Sequence, residues 1–201
     1  MKLLVLVTTL LFASISQATL ITFDEKVSVE NVFTNDGQSI DSAGFSFFSG
    51  MAEGNSGFIE VGLPRSLGGL FNANGSNITM RATDNSTFDL SSFDISRRDG
   101  DISYGRSASD VVVIGNLLGG GTVEFRTGAL QINFAASLLP STFKNLTSVI
   151  FNPEKFDNAG DFDYEFVIDN INTTSVSTPA TFALILCGIV AIRVGAKRRK
   201  V

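Results

Sequence analysis

The chain has 201 residues, 44% of them hydrophobic, and a formal net charge of −5. Six of its 15 basic residues lie in the two terminal segments, so residues 19–176 hold nine basic and 20 acidic residues and carry −11. This acidic body excludes a nucleic-acid-binding surface, which needs a basic stripe. The lack of histidine and the single cysteine, Cys187, exclude histidine-based catalysis, zinc clusters and intrachain disulfides.

Residues 1–18 have the three parts of a secretory signal peptide. Lys2 is the basic start, Leu3–Phe12 is the apolar core, and the small-x-small sequence Ser16-Gln17-Ala18 is a cleavage site. We therefore expect export and cleavage after Ala18 rather than a buried N-terminal helix. The exported body must then be stabilised by packing, because it cannot form a disulfide.

Residues 19–171 are predicted to form one all-β domain. Short β-prone runs recur between Gly, Asn, Asp and Ser residues, and no helical period exceeds two turns. The predicted strands are Leu20–Phe23, Ser28–Phe33, Gly44–Phe48, Gly57–Val61, Asn77–Arg81, Phe88–Ile95, Asp110–Asn116, Gly121–Thr127, Gln131–Phe134, Ser148–Phe151 and Phe162–Ile171. Their number and spacing predict a β-sandwich, of which the jelly-roll is the preferred form.

Two segments of this domain carry the clearest strand signals. Val111–Ile114, a glycine-rich turn and Thr122–Phe125 predict a hairpin whose first strand is buried on both faces. Phe162–Ile171 alternates with a period of two, which predicts that Phe166 and Ile168 share one face.

One polar loop concentrates basic residues on the otherwise acidic body. Tyr104 lies near Arg97, Arg98 and Arg106. An aromatic ring with polar neighbours is typical of a sugar-binding surface, and the positive charges suit an anionic glycan. The alternative is that Tyr104 only covers the core.

Two strings, ITFDE near the start and FVIDNI near the end, are similar to the first and last strands of carbohydrate-binding-like jelly-roll modules. The resemblance implies that Asp24 or Glu25, after the first strand, lies close to Asp169 in the last one. Carboxylate oxygens are the ligands that Ca²⁺ prefers, so the resemblance implies a calcium site. The alternative is a solvated polar face that protects edge strands from aggregation.

Residues 172–178 are predicted to be a polar linker, and residues 179–201 a single transmembrane helix with a basic tail. The helix is apolar from Ala180 to Ile192 apart from one threonine. That stretch is about 20 Å long, shorter than a hydrocarbon core of about 30 Å. Counted from Pro179 to Ala196, with Arg193 reaching the headgroups, the helix is barely long enough to span it. The basic cluster Lys197–Lys200 would stay in the cytoplasm, which leaves the body outside. The alternative is an ordinary C-terminal core helix.

This tail resembles a PEP-CTERM sorting signal, in which a short Val-Pro-Glu-Pro-like motif precedes an apolar helix and an arginine-rich end. Pro179 and Thr181 match the pattern, whereas Ser177 and Thr178 replace its first proline and its glutamate. The corresponding sorting motif comprises Val176, Ser177, Thr178, Pro179, Ala180 and Thr181. The resemblance implies processing by an exosortase-like transpeptidase at the inner membrane and delivery to the cell surface or to an extracellular, biofilm-type matrix.

The sequence therefore predicts an exported protein with a structural or glycan-associated body, and extracellular polysaccharide as its partner. Ca²⁺ is the one cofactor that the residues suggest, and no catalytic residue is assigned. The main alternative is a calcium-stabilised carbohydrate-binding module that stays tethered to the membrane. A secreted hydrolase is the less favoured alternative, because the 20 acidic residues offer many carboxylate pairs and single out none.

Overall fold

A computed structural model describes residues 17–23, 39–50, 58–61, 69–73, 75–97, 108–154 and 165–176. These described residues form twelve β-strands and no helix, so the all-β prediction is confirmed. The strands are β1 (Gln17–Ile21), β2 (Ile40–Ser42), β3 (Phe45–Gly50), β4 (Phe58–Val61), β5 (Leu70–Ala73), β6 (Asn77–Ala82), β7 (Thr87–Arg97), β8 (Asp110–Leu117), β9 (Thr122–Arg126), β10 (Ala135–Leu138), β11 (Leu146–Glu154) and β12 (Phe166–Val176).

The strands join one nearly closed antiparallel sheet. Its main path runs β2-β3-β6-β11-β7-β12-β5-β4, and β1, β8, β9 and β10 pair off this path. β12 pairs with β7 along most of its length, and its other edge pairs with β5 near its start and with β1 near its end. The last strand of the described body therefore connects three other strands.

Phenylalanine fills the main core, as expected for a chain with 18 phenylalanines and no tryptophan. Seven phenylalanine side chains of this cluster are fully buried, namely Phe23, Phe47, Phe88, Phe93, Phe143, Phe151 and Phe166. Two T-shaped pairs, Phe23–Phe47 and Phe93–Phe151, have ring centroids 5.2 Å apart. Such pairs add about 0.5–1.5 kcal/mol to the stability that burial alone provides.

A smaller apolar cluster covers the opposite face of β12. Phe71 and Val167 are buried there, and Phe134 packs against them. Gly69 allows this close approach, because its φ is +141° and a Cβ atom would lie 2.8 Å from the Val167 Cγ1 atom. β12 is consequently covered on both faces around Phe166 and Val167. The structure places Phe166 and Ile168 together in the main core, as the predicted alternation requires.

β12 contains a bulge in its middle. Asn170 and Ile171 together lie opposite Phe93 of β7, and Asn170 takes a φ of +48°. A second irregularity, at Ser91 of β7, restores the alignment. Strict alternation from Ile168 would turn Asn170 toward the core, but the extra residue brings Ile171 there instead.

The strand predictions differ from the structure at three places within the described residues. Gln131–Phe134 is not a strand: Phe134 packs over the small cluster, and the strand starts one residue later as β10. The short strands β2 and β5 were not predicted, because three or four residues are too few to show a period. The predicted strand Ser28–Phe33 lies outside the described residues.

The predicted domain boundaries also differ from the strand ends. β12 continues to Val176, so residues 172–176 of the predicted linker are paired strand. β1 begins at Gln17 and so includes the last two residues of the predicted signal peptide. The predicted transmembrane helix, residues 179–201, lies outside the described residues.

Candidate functional site

The predicted calcium ligand Asp169 lies on β12 just before the bulge, and the residue is 5% exposed. Asp94 of β7 is its direct partner in the antiparallel register. Directly opposed residues share one face, with Cβ atoms about 4.5–5.5 Å apart. The sheet thus brings two carboxylates together, and we call Asp94 and Asp169 the aspartate pair.

Hydrogen-bond donors compensate the like charges of the aspartate pair. The backbone N–H of Phe23 donates to the Asp169 Oδ1 atom at 3.3 Å. The Asn170 Nδ2 atom donates to the Asp94 Oδ2 atom at 2.9 Å. The bulge positions this amide, because the left-handed conformation of Asn170 turns its side chain toward β7.

The hydrogen bond from Phe23 to Asp169 brings the chain next to the other predicted calcium ligands close to Asp169. Phe23 is the residue directly before Asp24, so the chain after β1 reaches the face on which Asp169 lies. Asp24 and Glu25 themselves lie outside the described residues. Among the residues that the structure describes, no group of three or more acidic or cysteine side chains is close enough to hold a metal ion.

Further polar groups continue the surface along β7 and β12. The Asn172 Nδ2 atom donates to the Ser92 Oγ atom at 3.0 Å, and the Ser91 hydroxyl donates to the Asn172 carbonyl at 3.1 Å. Together with the aspartate pair, these groups form a strip of carboxylate, amide and hydroxyl oxygens. Such oxygens can bind a hard cation or the hydroxyl groups of a sugar.

A second charged cluster, which the sequence reasoning missed, joins β8, β9 and β11. Arg126 forms a two-point ion pair with Glu154, with N–O distances of 2.6 and 2.9 Å, and contacts Asp110 at 3.3 Å. The Asp110 Oδ1 atom also accepts hydrogen bonds from the Thr127 hydroxyl and the Gly128 N–H, each at 2.9 Å. The register of the predicted hairpin could have indicated it, because Asp110 and Arg126 both lie at its open end.

The charged groups of this cluster shift one another's pKa values. Hydrogen bonds from Arg126, reinforced by its positive charge, hold the pKa of Glu154 below its usual value. The hydrogen bond to Glu154, followed by that to Asp110, raises the pKa of Arg126. Since the Arg126 side chain is 59% exposed, solvent screens these ion pairs and their contribution to stability is modest.

Of the predicted sugar-binding patch, Arg97 is the residue that the structure describes. This residue ends β7 opposite Phe166, and its backbone N–H donates to the Gln131 carbonyl at 2.8 Å. Tyr104, Arg98 and Arg106 lie outside the described residues, so the patch stays a prediction.

The sorting motif begins at the end of the described body. Val176 is the last residue of β12 and pairs with Thr87 of β7. The remaining residues of the motif, Ser177, Thr178, Pro179, Ala180 and Thr181, lie outside the described residues. The part of the chain described by the structure contains no helix long and apolar enough to cross a membrane.

Two comparisons with known proteins place no constraint on these sites. No protein-family model matches the chain, and no curated protein matches it.

Proposed function

We propose that this protein is exported, sorted through its PEP-CTERM-like tail by an exosortase-like transpeptidase, and delivered to the cell surface or the extracellular matrix. Its body, for which we retain the jelly-roll form of the β-sandwich, has a structural or glycan-associated role there. The proposed path begins with cleavage after Ala18 and ends with cleavage within Val176–Pro179.

The observation that carries this proposal is the pairing of β1 with β12. The two strands are antiparallel, and Gln17 lies opposite Ser175. The predicted signal peptide therefore joins the body beside the start of the sorting motif at Val176. A body held at the membrane by both terminal segments needs both of them to leave the same end of the fold, and this register provides that arrangement.

The intact mass of the chain, recovered from the surface of its own host, tests the proposal. We expect a mass that starts at Thr19 and ends within the motif, with or without an attached group. Pro179→Ala should retain the tail, while the matched control Pro140→Ala, at an exposed position, should lose it. A wild-type chain that runs from Thr19 to Val201 would contradict sorting and would favour a permanent anchor.

The aspartate pair favours a second candidate function, a calcium-stabilised carbohydrate-binding module that stays tethered to the membrane. Asp94 and Asp169 supply hard oxygen ligands, and Asp24 follows the residue that contacts Asp169. Ca²⁺ at millimolar concentration should raise the thermal midpoint of the full chain, and a chelator should reverse the shift. Asp169→Asn should abolish the shift, whereas Glu124→Gln, an exposed acidic position on β9, should keep it.

Binding of the glycan is measured separately, with the full chain on a glycan array. Hits that depend on Ca²⁺ would support the tethered module. An unchanged midpoint in wild-type protein would remove Asp24, Glu25 and Asp169 as calcium ligands, and an array without hits would remove the sugar-binding role.

A further inference from the structure

The end of β12 has a different partner on each edge. On one edge, Thr174, Ser175 and Val176 pair with β7. On the other edge, Ala18 pairs with Thr174 and Gln17 pairs with Ser175. These two residues of β1 precede the predicted cleavage point, so they belong to the precursor and not to the mature chain.

Hydrolysis of the Ala18–Thr19 peptide bond consumes one water and leaves a carboxyl group on Ala18 and an amino group on Thr19. The pairs of Thr19 with Thr173, Leu20 with Asn172 and Ile21 with Ile171 survive this cleavage. The bond from the Phe23 N–H to Asp169 holds the same segment further along. The mature N-terminus thus stays docked, and only the last residues of β12 lose their second partner.

We propose that Gln17 and Ala18 mask the edge of β12 beside the sorting motif, and that signal-peptide removal exposes this edge, at Thr174 and Ser175, to the processing transpeptidase. An edge strand presents a row of backbone N–H and C=O groups that an extended partner segment can pair with. β7 keeps the exposed residues extended, because it still pairs with their opposite edge. The enzyme therefore meets a preformed strand that leads into its cleavage site.

The inference rests on the proposed function and gives it an order, in which N-terminal cleavage comes first. It also names the recognition mode, which is backbone pairing at Thr174 and Ser175 in addition to contacts with the motif. In the precursor, β1 occupies the position that the enzyme requires. The mask is local, since it consists of two residue pairs at the very end of the strand.

Three chains, each expressed in the native host, test the mask. Ala18→Val replaces the small residue at the cleavage site and should retain the signal peptide, while valine is well suited to a strand. Ala18→Val combined with Gln17→Pro should also retain the signal peptide, but proline removes a backbone donor and disrupts the pairing with Ser175. The intact mass reports both termini of every chain.

We expect the wild-type chain to lose both terminal segments, Ala18→Val to keep both, and the double variant to keep the signal peptide but lose the tail. Loss of the tail from Ala18→Val at the wild-type rate would overturn the proposal. Retention of the tail by the double variant would also overturn the proposal, because the uncleaved signal peptide alone would then explain why the tail is not removed.

Hydrogen exchange separates this inference from the sorting proposal, since it needs no transpeptidase. Successive N–H groups of a strand point to opposite edges, so of Thr174 and Ser175 only the amide that faces β1 loses its cover on cleavage. This amide should exchange about tenfold faster in the mature chain than in the purified Ala18→Val chain, while the amides of Thr173 and Ile171 should match. Equal exchange in the two chains would overturn the mask even if sorting occurs. Faster exchange in a mature chain that keeps its tail would refute sorting and leave the structural mask intact.

Discussion

Asp94 of β7 and Asp169 of β12 lie directly opposite each other on one face of the sheet. Like charges in such a cross-strand pair are destabilising. The Phe23 N–H and the Asn170 amide compensate them, one for each carboxylate. The pair therefore links the chain after β1, the bulge of β12 and the middle of β7.

Substitutions at Asp169 separate its hydrogen bond from its charge. Asp169→Ala leaves the Phe23 N–H without its acceptor in a buried position, which should cost about 1–3 kcal/mol of unfolding free energy. Asp169→Asn keeps an oxygen acceptor and removes the repulsion from Asp94, so its loss should be clearly smaller. Urea unfolding without added Ca²⁺ measures both, and equal losses would contradict the proposed role of the bond.

The glycine at position 115 of β8 is required by close packing. A Cβ atom there would lie 2.8 Å from the Leu146 Cδ2 atom and 2.9 Å from the Val123 Cγ2 atom. Gly115→Ala should therefore destabilise the protein by about 1–3 kcal/mol. Gly119→Ala, in the hairpin turn with open space around it, is the matched control and should be close to neutral in the same denaturant experiment.

The Arg126–Glu154 ion pair predicts a specific pH dependence. Because Arg126 lowers the pKa of folded Glu154, the pair stabilises the fold above the unfolded pKa of a glutamate, and this contribution is lost as the pH falls through the lowered folded value. The stability difference between wild type and Glu154→Gln should be largest near neutral pH and should vanish in strong acid.

Salt provides the control for that ion pair. High ionic strength should shrink the neutral-pH difference between wild type and Glu154→Gln, since both side chains are exposed. In a chain that carries Arg126→Gln, the further substitution Glu154→Gln should leave the free energy of unfolding unchanged. A difference that persisted unchanged in acid would show that Glu154 acts through packing and not through its charge.

Phe151 tests the importance of the aromatic core. Its ring meets Phe93 edge-on inside the main cluster, and it is fully buried. Phe151→Ala should cost about 3–5 kcal/mol, through lost burial and the cavity left behind. Leu138→Ala, at a residue that is 77% exposed, should change the stability by less than about 0.5 kcal/mol. Similar losses from the two variants in urea unfolding would contradict the assigned core.

Local patterns predicted the parts of the fold that depend on neighbouring residues. The valine run and the glycine-rich turn indicated the β8–β9 hairpin, and the structure confirms the antiparallel pairing and the burial of Val111, Val112 and Val113. A tight turn fixes its own register, so sequence alone is sufficient there. The all-β class was predictable for the same reason, because strand length and turn spacing are local properties.

Long-range pairing lay beyond these patterns. Nothing near Asp94 indicates that Asp169 is its partner, because the pairing of β7 with β12 joins residues that are far apart in the chain. The predicted alternation also fails beyond Ile168. It would place Asn170 in the core, but the extra residue of the bulge places Ile171 there instead. Of the predicted calcium and sugar-binding residues, Asp169 and Arg97 lie in the described structure, and the others keep the status of predictions.

The position of β12 also determines when the fold can be completed. Synthesis runs from the N-terminus, so β1 is made early. The strand with which it pairs, β12, is made much later. The Phe23–Asp169 contact closes 146 residues of chain. Contacts of such separation make folding slow, and β12 is the last of the described strands to be synthesised. A chain that lacks β12 cannot complete the sheet, so the body can become compact only after its last described strand has been made.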